Sequence, residues 1–325
     1  MKNSVSNILL LLASFGSTAQ NHATLSNLPS VTILLKDEVA QHAASSPFRN
    51  FEVIDERPDT AHIGVHTFVP TFGSAHLHQL VFKSSTSAEI AAWLNKHFAR
   101  PGAPYTALIV LRNLWLSDAN YPHEEKIRDP EKLYQRTHIR LKAEIYACSD
   151  SQYRPVIRFD TLQSYVRSNP YTSLQSYYSI WGRDLATLLT EMADTASWLC
   201  PARNGHGRLI SLEDILKFNR SRFDAPIAAN ESLRPGVYAD FEEFRNNTPS
   251  IRDFEIRKDK NDRFLYIKTG GASCYSHDAW GYCDGKNIFV MRDGILCHAW
   301  KEGKAFYLLK IPSVFAVDMD SGGVY

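Results

Sequence analysis

The sequence predicts an α+β protein, with an N-terminal mixed α/β domain containing a long helix and a C-terminal antiparallel β-meander domain. Three observations support this fold class. Residues 139–148 alternate between apolar and polar side chains, as a strand does. Residues 173–199 carry a broad apolar stripe at helical spacing. After residue 240, short strand-like runs are separated by Asp-Gly pairs, which favour hairpin turns because glycine accepts a positive φ.

The first nineteen residues have the order of a cleavable secretory signal. Lys2 gives a positive start, residues 8–15 are apolar, and Ala19 ends a run of small residues suited to cleavage. The apolar run is shorter than the roughly 20 residues that span a bilayer, and a buried N-terminal strand or helix is the alternative interpretation. We expect an exported protein, periplasmic or extracellular, that is soluble after cleavage.

Composition and charge exclude several classes of partner. The chain is 44% hydrophobic and 12% aromatic, which is typical of a folded protein. Of its 36 Lys and Arg residues, Lys2 lies in the leader, so 35 remain against 35 Asp and Glu. Nucleic-acid binding needs a basic surplus or stripe, and a polybasic membrane surface needs the same. We therefore expect neither nucleic acid nor an anionic membrane as a partner.

Hydrophobic patterning divides the chain into four parts: a signal peptide at 1–19, an N-terminal α+β domain at 28–200, a helical connector at 201–234 and a C-terminal β-rich domain at 235–316. Apolar periodicity lapses within the connector, where Pro226 lies, and Pro235 follows it. A mature length of about 300 residues is compatible with two domains.

In the N-terminal domain we predict strands at 31–35, 51–54, 63–69, 77–82, 107–116 and 139–148, and helices at 87–98 and 173–199. The last strand has apolar residues on one face. Its other face carries His138, Arg140, Lys142 and Glu144, which predicts a face open to water. Cys200-Pro201 is expected to end the long helix. Ser211 to Asp214 opens the connector helix with the pattern of a capping box.

The C-terminal domain begins with a short helix at 240–247, which Asp240 and Glu243 cap. Short strands follow at 251–257, 264–268, 280–283, 288–291, 296–300 and 306–311. Asp284-Gly285, Asp293-Gly294 and Glu302-Gly303 are the predicted turns between several of them. These features predict an antiparallel meander of about 80 residues.

Residues 236–250 fit the pattern G-x-Y-x-x-F-x-E-F-x-x-N-x-P-S. This pattern resembles a motif of uncharacterised secreted bacterial proteins, and residues 280–286 (W-G-Y-C-D-G-K) resemble a second element of that group. The resemblance covers the last quarter of the chain. Asp55-Glu56-Arg57 before Ile63-Gly64 resembles small α/β domains of envelope lipoproteins. Neither resemblance implies a known activity.

Four histidines are the weak candidates for a metal site. His62 and His66 share one strand face, His76 and His78 share another, and a turn near residue 72 would place His66 across from His78. Zinc or copper accepts such imidazoles. No acid at a typical metal spacing accompanies them, and exposed strand residues are often merely solvated. We therefore expect no metal and no cofactor.

The five cysteines leave several pairings open, and their odd number leaves at least one unpaired in an oxidising compartment. A disulfide between two of the last three is one alternative, and buried free thiols are the one that we favour. A Cys–His nucleophile would need the two side chains to lie close together in the fold. Zinc is disfavoured because the spacing is not a paired C-x-x-C. The cysteines are Cys148, Cys200, Cys274, Cys283 and Cys297.

Asp55, Arg57 and Asp59 follow a predicted strand end, a common location for functional residues. We favour a salt-bridged loop in which Pro58 fixes a turn. The sequence contains no nucleophile-elbow, P-loop, H-E-x-x-H or dinucleotide-binding motif. No catalytic residue is therefore assigned, although triads can assemble from distant positions.

The sequence favours a non-catalytic envelope or secreted binding or accessory protein, whose partner is a protein or a glycan-like surface. Aromatics on an exposed sheet face are common anchors, whereas alternation places about half of them in the core. The alternative is a hydrolase or metal-dependent enzyme with its site between the two domains. The sequence leaves the oligomeric state open. The aromatic candidates in the meander are Tyr266, Tyr275, Trp280, Tyr282, Trp300 and Tyr307.

Overall fold

The computed structural model describes residues 24–37, 46–68, 76–119, 134–168, 174–203, 208–229, 232–260, 262–310 and 313–325. The signal peptide and the turn near residue 72 lie outside these ranges. The described residues belong to two compact units. The first comprises Leu28–Phe68 and Leu77–Ser221, and the second comprises Arg222–Tyr325 with residues 24–27 and His76. Helices and several mostly antiparallel sheets confirm the predicted α+β class.

A seven-stranded mixed sheet forms the first unit. The strands are β1 Ser30–Thr32, β2 Phe48–Asp55, β3 Gly64–Phe68, β4 His76–Val81, β5 Tyr105–Ala119, β6 Tyr134–Ser149 and β7 Gln152–Ser168. Their order in the sheet is β1-β4-β3-β5-β6-β7, and β2 also pairs with β5. The pairs β1–β4, β2–β5 and β3–β5 are parallel, whereas β5–β6 and β6–β7 are antiparallel.

Two helices cover one face of this sheet, α1 at Thr86–Phe98 and α2 at Leu174–Arg203. The predicted apolar stripe of α2 packs in one core with the apolar face of β6. This core includes Leu185 of α2 and Leu141 of β6. The prediction that α2 stops at Cys200-Pro201 was wrong, because the helix continues to Arg203. Pro201 lies in the last turn, where the missing N–H removes a single helical hydrogen bond. None of the helices in the described ranges is both long and apolar enough to cross a bilayer.

Strand β7 was not predicted, although it is 17 residues long. It pairs with β6 along its whole length and forms an edge of the sheet. Pro155 interrupts its strand pattern in the sequence, and proline is tolerated mainly at edges and bulges. The register shift between Ile145 and Tyr146, opposite Pro155, provides such an irregularity.

The polar face of β6 is buried, so the prediction of a face open to water was wrong. Lys142 and Glu144 are 3% and 7% exposed. The Arg112 Nη1 atom donates to Glu144 Oε1 at 2.8 Å, and the Tyr146 hydroxyl donates to Glu144 Oε2 at 2.8 Å. Asp160 of β7 forms an ion pair with Arg140. Paired charges can be buried, so polarity in this strand does not report exposure.

The predicted connector contributes to both units. Helix α3 (Leu212–Ser221) packs Ile215 against Leu108 and Tyr146 of the first sheet. The Ser211 hydroxyl oxygen accepts a hydrogen bond from Asp214 N at 3.1 Å, which confirms the predicted cap. Helix α4 (Pro226–Ala229) and Phe223 instead belong to the core of the second unit.

The second unit contains helix α5 (Phe241–Arg245) and two antiparallel sheets. The strands are β8 Gly236–Tyr238, β9 Phe254–Asp259, β10 Asp262–Thr269, β11 Ala272–Tyr275, β12 Gly281–Cys283, β13 Ile288–Arg292, β14 Ile295–Glu302, β15 Ala305–Lys310 and β16 Ser313–Ala316. One sheet has the order β11-β10-β9, and the other has the order β16-β15-β14-β13-β12-β8. The predicted meander is therefore present, divided between two sheets.

Two-residue turns set the register of this meander. Asp293 and Gly294 have φ of 50° and 79° and close the β13–β14 hairpin, as predicted. Glu302 pairs with Ala305, so the turn after β14 is Gly303-Lys304, one residue later than predicted. Gly285 also has a positive φ, in the β12–β13 connection.

Candidate functional site

The outer face of the three-stranded sheet carries one exposed and two half-buried aromatic side chains. Alternation along β10 places Phe264, Tyr266 and Lys268 on one face. Tyr275 of β11 lies directly opposite Tyr266 in the register. Leu265 and Ile267 point the other way, into an apolar cluster with residues of the six-stranded sheet. We call the side chains of Phe264, Tyr266 and Tyr275 the aromatic face.

The three rings of the aromatic face lie within contact range. The ring centroids of Tyr266 and Tyr275 are 5.8 Å apart, and those of Phe264 and Tyr275 are 6.2 Å apart. Tyr275 is 44% exposed, while the other two are half-buried. His277 extends the group, with its ring centroid 6.0 Å from that of Tyr275. Tilted ring pairs at these distances are favourable and hold the rings in fixed orientations.

A charged pair borders the aromatic face, and its guanidinium lies over the Tyr266 ring. The Arg257 Cζ atom lies 3.9 Å from the centroid of the Tyr266 ring. The same guanidinium donates from Nε to Glu255 Oε1 at 3.0 Å. This hydrogen bond lowers the pKa of the Glu255 carboxyl group and raises the pKa of Arg257. The border therefore presents one carboxylate and one guanidinium that are both charged at neutral pH.

The Tyr275 ring is fixed at its outer end. Its hydroxyl donates to the carbonyl oxygen of Gly294 at 2.5 Å. Gly294 belongs to the β13–β14 turn, so the bond joins the three-stranded sheet to the six-stranded sheet within the second unit. A Cβ atom on Gly294 would lie 2.6 Å from the Tyr275 hydroxyl oxygen, so any other residue there would displace this hydroxyl. The exposed ring is consequently held in place without being buried.

Of the six aromatics proposed from the sequence, only Tyr266 and Tyr275 belong to this face. Trp280 stacks on Phe244 at 4.0 Å inside the core of the second unit. Tyr282 stacks on Phe289 at 5.7 Å, and the fully buried Tyr307 contacts the half-buried Trp300 at 5.9 Å. Phe264 and Arg257 were not among the residues proposed from the sequence. The alternation of Phe264, Tyr266 and Lys268 was the available signal.

Two of the four candidate histidines contact carboxylates, which their spacing in the sequence did not predict. His62 Nδ1 lies 2.7 Å from Asp59 Oδ2, and His66 Nδ1 lies 2.5 Å from the buried Asp118 Oδ2. His76 is exposed at the start of β4, and His78 is half-buried in it. Within the described ranges, the structure holds no group of three or more His, Cys, Asp or Glu that suits a metal ion.

All five cysteines are free thiols in this structure. Burial raises the pKa of Cys200 and Cys297 to about 11, and it also raises the pKa of Cys283. His298 follows Cys297 but lies on the opposite strand face, with its ring 5.5 Å from Phe289. Since only a thiolate is a good nucleophile, these buried thiols do not support Cys–His catalysis. Cys274 is exposed, and Cys148 is half-buried.

The loop after β2 has the salt-bridged structure that we favoured. Arg57 donates from Nε and Nη2 to the two carboxylate oxygens of Asp55 at 2.8 and 2.7 Å. Its Nη1 atom donates to the carbonyl oxygens of His62 and Leu114, and Nη2 donates to Thr86 Oγ1. Arg57 is buried and holds four segments together. These residues therefore stabilise the fold of the first unit.

A small polar cavity lies at the β6–β7 turn of the first unit. Its volume is about 210 Å³, and its lining includes Tyr105, Ser149, Gln152 and Arg154. Small-molecule sites usually enclose about 300–1,000 Å³. The cavity is thus smaller than a typical ligand site, and the aromatic face is the stronger candidate.

The residues of the G-x-Y-x-x-F-x-E-F-x-x-N-x-P-S pattern stabilise the second unit. Asn247, at φ 53° and buried, accepts a hydrogen bond from the Tyr238 hydroxyl at 3.1 Å and donates to the Ser232 carbonyl at 3.0 Å. Glu243 Oε2 accepts from Ala239 N and Ser250 N. The pattern thus specifies a hydrogen-bonded turn and helix, and the aromatic face lies outside it.

Comparison with known proteins adds little. No family model matches the chain, and no curated protein matches it. The chain is similar to the crystal structure of a Xanthomonas campestris protein of the DUF330 family. The two share 13% identity over 55% of this chain and 96% of that chain, with a TM-score of 0.27. A likeness this distant carries no argument about function.

Proposed function

We propose that the protein is an exported, non-catalytic binding protein whose aromatic face holds a glycan-like surface. The observation that carries this proposal is the pairing of Tyr266 and Tyr275 on an exposed sheet face, with their ring centroids 5.8 Å apart. Large apolar rings with polar tips are efficient binding groups when they are accessible. The apolar C–H faces of sugar rings pack on such rings.

The hydroxyl groups of a sugar need polar partners beside the rings. Glu255 and Arg257 supply a carboxylate and a guanidinium at the border, and Lys268 and Ser273 lie opposite each other on the same face. Charged groups make the stronger hydrogen bonds. The mixture of fixed rings and charged polar groups supports a glycan more than an apolar protein surface.

The fixed position of Tyr275 also supports binding. A side chain that is already ordered loses little conformational freedom when a ligand binds, so more of the contact energy appears as affinity. The hydrogen bond to Gly294 provides this order. A tyrosine kept only for core packing would not be 44% exposed.

Co-sedimentation with purified peptidoglycan sacculi and with insoluble glucan tests the proposal. We expect Tyr275→Ala to weaken binding about tenfold, the effect of losing ~1.4 kcal/mol of contact. Trp198→Ala is the matched control, because Trp198 is 78% exposed on α2 in the first unit. Equal binding by wild type and Tyr275→Ala would exclude the aromatic face as the binding site. Binding of a protein through Tyr275, with no polysaccharide retained, would replace the glycan with a protein partner.

Export is the second part of this proposal and depends on the leader at 1–19. We expect cleavage near Ala19, because the small residues before it suit signal peptidase. Intact-mass measurement of the protein recovered outside the cytoplasm checks this prediction. A retained Met1 in that fraction would contradict it.

A further inference from the structure

Strand β11 is an open edge of the three-stranded sheet. It pairs with β10 on one side, and the sheet order β11-β10-β9 places it at the end. All four of its residues, Ala272 to Tyr275, are exposed. No second strand pairs with it within the described part of the chain. Its outer side therefore presents main-chain groups to solvent.

The register shows which main-chain groups these are. Ser276 N donates to the Leu265 carbonyl at 2.9 Å, so the main-chain groups of Ser276 face β10. Because these groups alternate in direction along a strand, the main-chain groups of Cys274 face β10 as well. The N–H and C=O groups of Ser273 and Tyr275 point outward instead. Their donors and acceptors recur at every second residue, which is the spacing that an added antiparallel strand pairs with.

Although β11 is only four residues long, its edge lacks the charges and the proline that protect many edge strands. Exposed edges usually carry charged side chains or proline, which prevent pairing with another chain. Residues 270–276 (G-G-A-S-C-Y-S) contain neither. Two copies of this segment can therefore approach without placing like charges opposite each other.

We propose that β11 pairs with β11 of a second copy of this chain, antiparallel and about a two-fold axis at Cys274. Ser273 then lies opposite the second copy's Tyr275, and the reverse pair follows from symmetry. Each pair exchanges two main-chain hydrogen bonds. The two three-stranded sheets become one six-stranded sheet.

Self-pairing also places the two aromatic faces side by side. Residues opposite each other on neighbouring strands point to the same face of a sheet. Tyr275 of each copy therefore lies on the same face as Ser273 of the other. The combined sheet therefore carries two aromatic faces, one from each copy. The pairing itself depends only on the edge and stands whether or not the aromatic face binds a glycan.

The register predicts a specific cross-link between the copies. On the two-fold axis, the two Cys274 residues form a non-hydrogen-bonded pair, with their Cα atoms about 4.5 Å apart. This distance lies at the short end of the disulfide range. With glutathione disulfide as oxidant, one Cys274 thiolate displaces a glutathione thiol, and the second copy's thiolate displaces the other. One protein disulfide forms, and one glutathione disulfide is reduced to two thiols.

Oxidative cross-linking of the full chain tests this proposal. Wild-type protein with glutathione disulfide should give a covalent dimer on a non-reducing gel, and peptide mass mapping should find Cys274 joined to Cys274. Ser273→Pro removes an outward N–H from each copy while keeping the bonds to β10. It should slow dimer formation roughly tenfold, whereas Ser273→Ala should leave it unchanged.

Two controls separate pairing from random collision. Titration with a small disulfide reagent should show the same Cys274 reactivity in wild type and Ser273→Pro. Moving the exposed thiol to the β12–β13 connection, with Cys274→Ser and Lys286→Cys together, should give dimer as slowly as Ser273→Pro. Equal cross-linking rates in wild type and either of these variants would overturn the proposal. If the protein forms no covalent dimer at all, the proposal is overturned too. A strand of another protein would then be the partner expected for β11.

Discussion

The Tyr275 hydroxyl and the Gly294 carbonyl oxygen form a 2.5 Å hydrogen bond that positions the most exposed ring of the aromatic face. Gly294 has φ of 79°, which glycine adopts readily and other residues adopt at a cost. The turn that closes the β13–β14 hairpin thus also fixes a side chain of the neighbouring sheet. Turn geometry and ligand-face geometry are coupled through this one bond.

A double-mutant cycle measures this coupling. Tyr275→Phe keeps the ring and loses the hydrogen bond, at an expected cost of ~1 kcal/mol in the free energy of unfolding. Gly294→Ala should cost more, because a Cβ atom would lie 2.6 Å from the hydroxyl oxygen at a positive φ. The nearest ring carbon is 3.9 Å away, so Gly294→Ala should cost less in the Tyr275→Phe background. Additive costs in urea unfolding would contradict the coupling.

Asn247 is expected to be the most sensitive position of the sequence pattern. Asn247→Ala removes its hydrogen bonds to Tyr238 and Ser232 and leaves alanine at φ 53°. We expect a loss of about 2–4 kcal/mol in the free energy of unfolding. Asn246→Ala is the matched control. Asn246 is exposed, and it hydrogen-bonds to Glu242 and Phe244 of the preceding helix α5. Similar losses in the two variants would show that the turn does not depend on Asn247.

Local sequence signals predicted much of the second unit. Asp293-Gly294 identified a turn because a positive φ is needed at both positions, and Asp240 with Glu243 identified a helix start. Such features depend on adjacent residues. They can therefore be recognised without knowing the rest of the fold.

Features that depend on distant residues were not predictable. The contact of His66 with Asp118 joins residues 52 positions apart, so no spacing rule indicated it. The buried state of Glu144 depends on Arg112, which arrives from another strand. The aromatic face was predicted only in part for the same reason, since burial of Tyr307 is decided by tertiary packing.

The contact of His66 with Asp118 should stabilise the first unit. Asp118 Oδ2 accepts from Thr67 N at 2.8 Å and contacts His66 Nδ1, and its side chain is fully buried. Asp118→Ala removes this acceptor from both groups and should cost about 3–5 kcal/mol. Asp118→Asn retains a carbonyl oxygen and should cost less. Thermal unfolding with the exposed Glu191→Ala as control provides the measurement. A loss for Asp118→Ala no larger than that of the control would contradict the assignment.

Buried thiols predict how stability depends on alkaline pH. Burial raises the pKa of Cys297 to about 11, whereas a thiol in the unfolded chain ionises near its ordinary value of about 8.5. Below that value both states hold the neutral thiol, and its contribution to stability is fully present. As the pH rises from about 9 to 11, the unfolded state loses its proton and the folded state keeps it. The free energy of unfolding should therefore fall by ~1.4 kcal/mol per pH unit for this thiol.

Urea unfolding of the protein at pH 8, 9, 10 and 11 checks this expectation. Cys297→Ala removes the buried thiol, so its free energy of unfolding should fall less steeply with pH than that of wild type. The comparison uses slopes, because the substitution also changes packing at every pH. Cys274→Ala is the matched control and should keep the wild-type slope, since it replaces an exposed thiol rather than a buried one. If Cys297→Ala and Cys274→Ala show the same slope, the buried thiol does not govern the alkaline loss of stability.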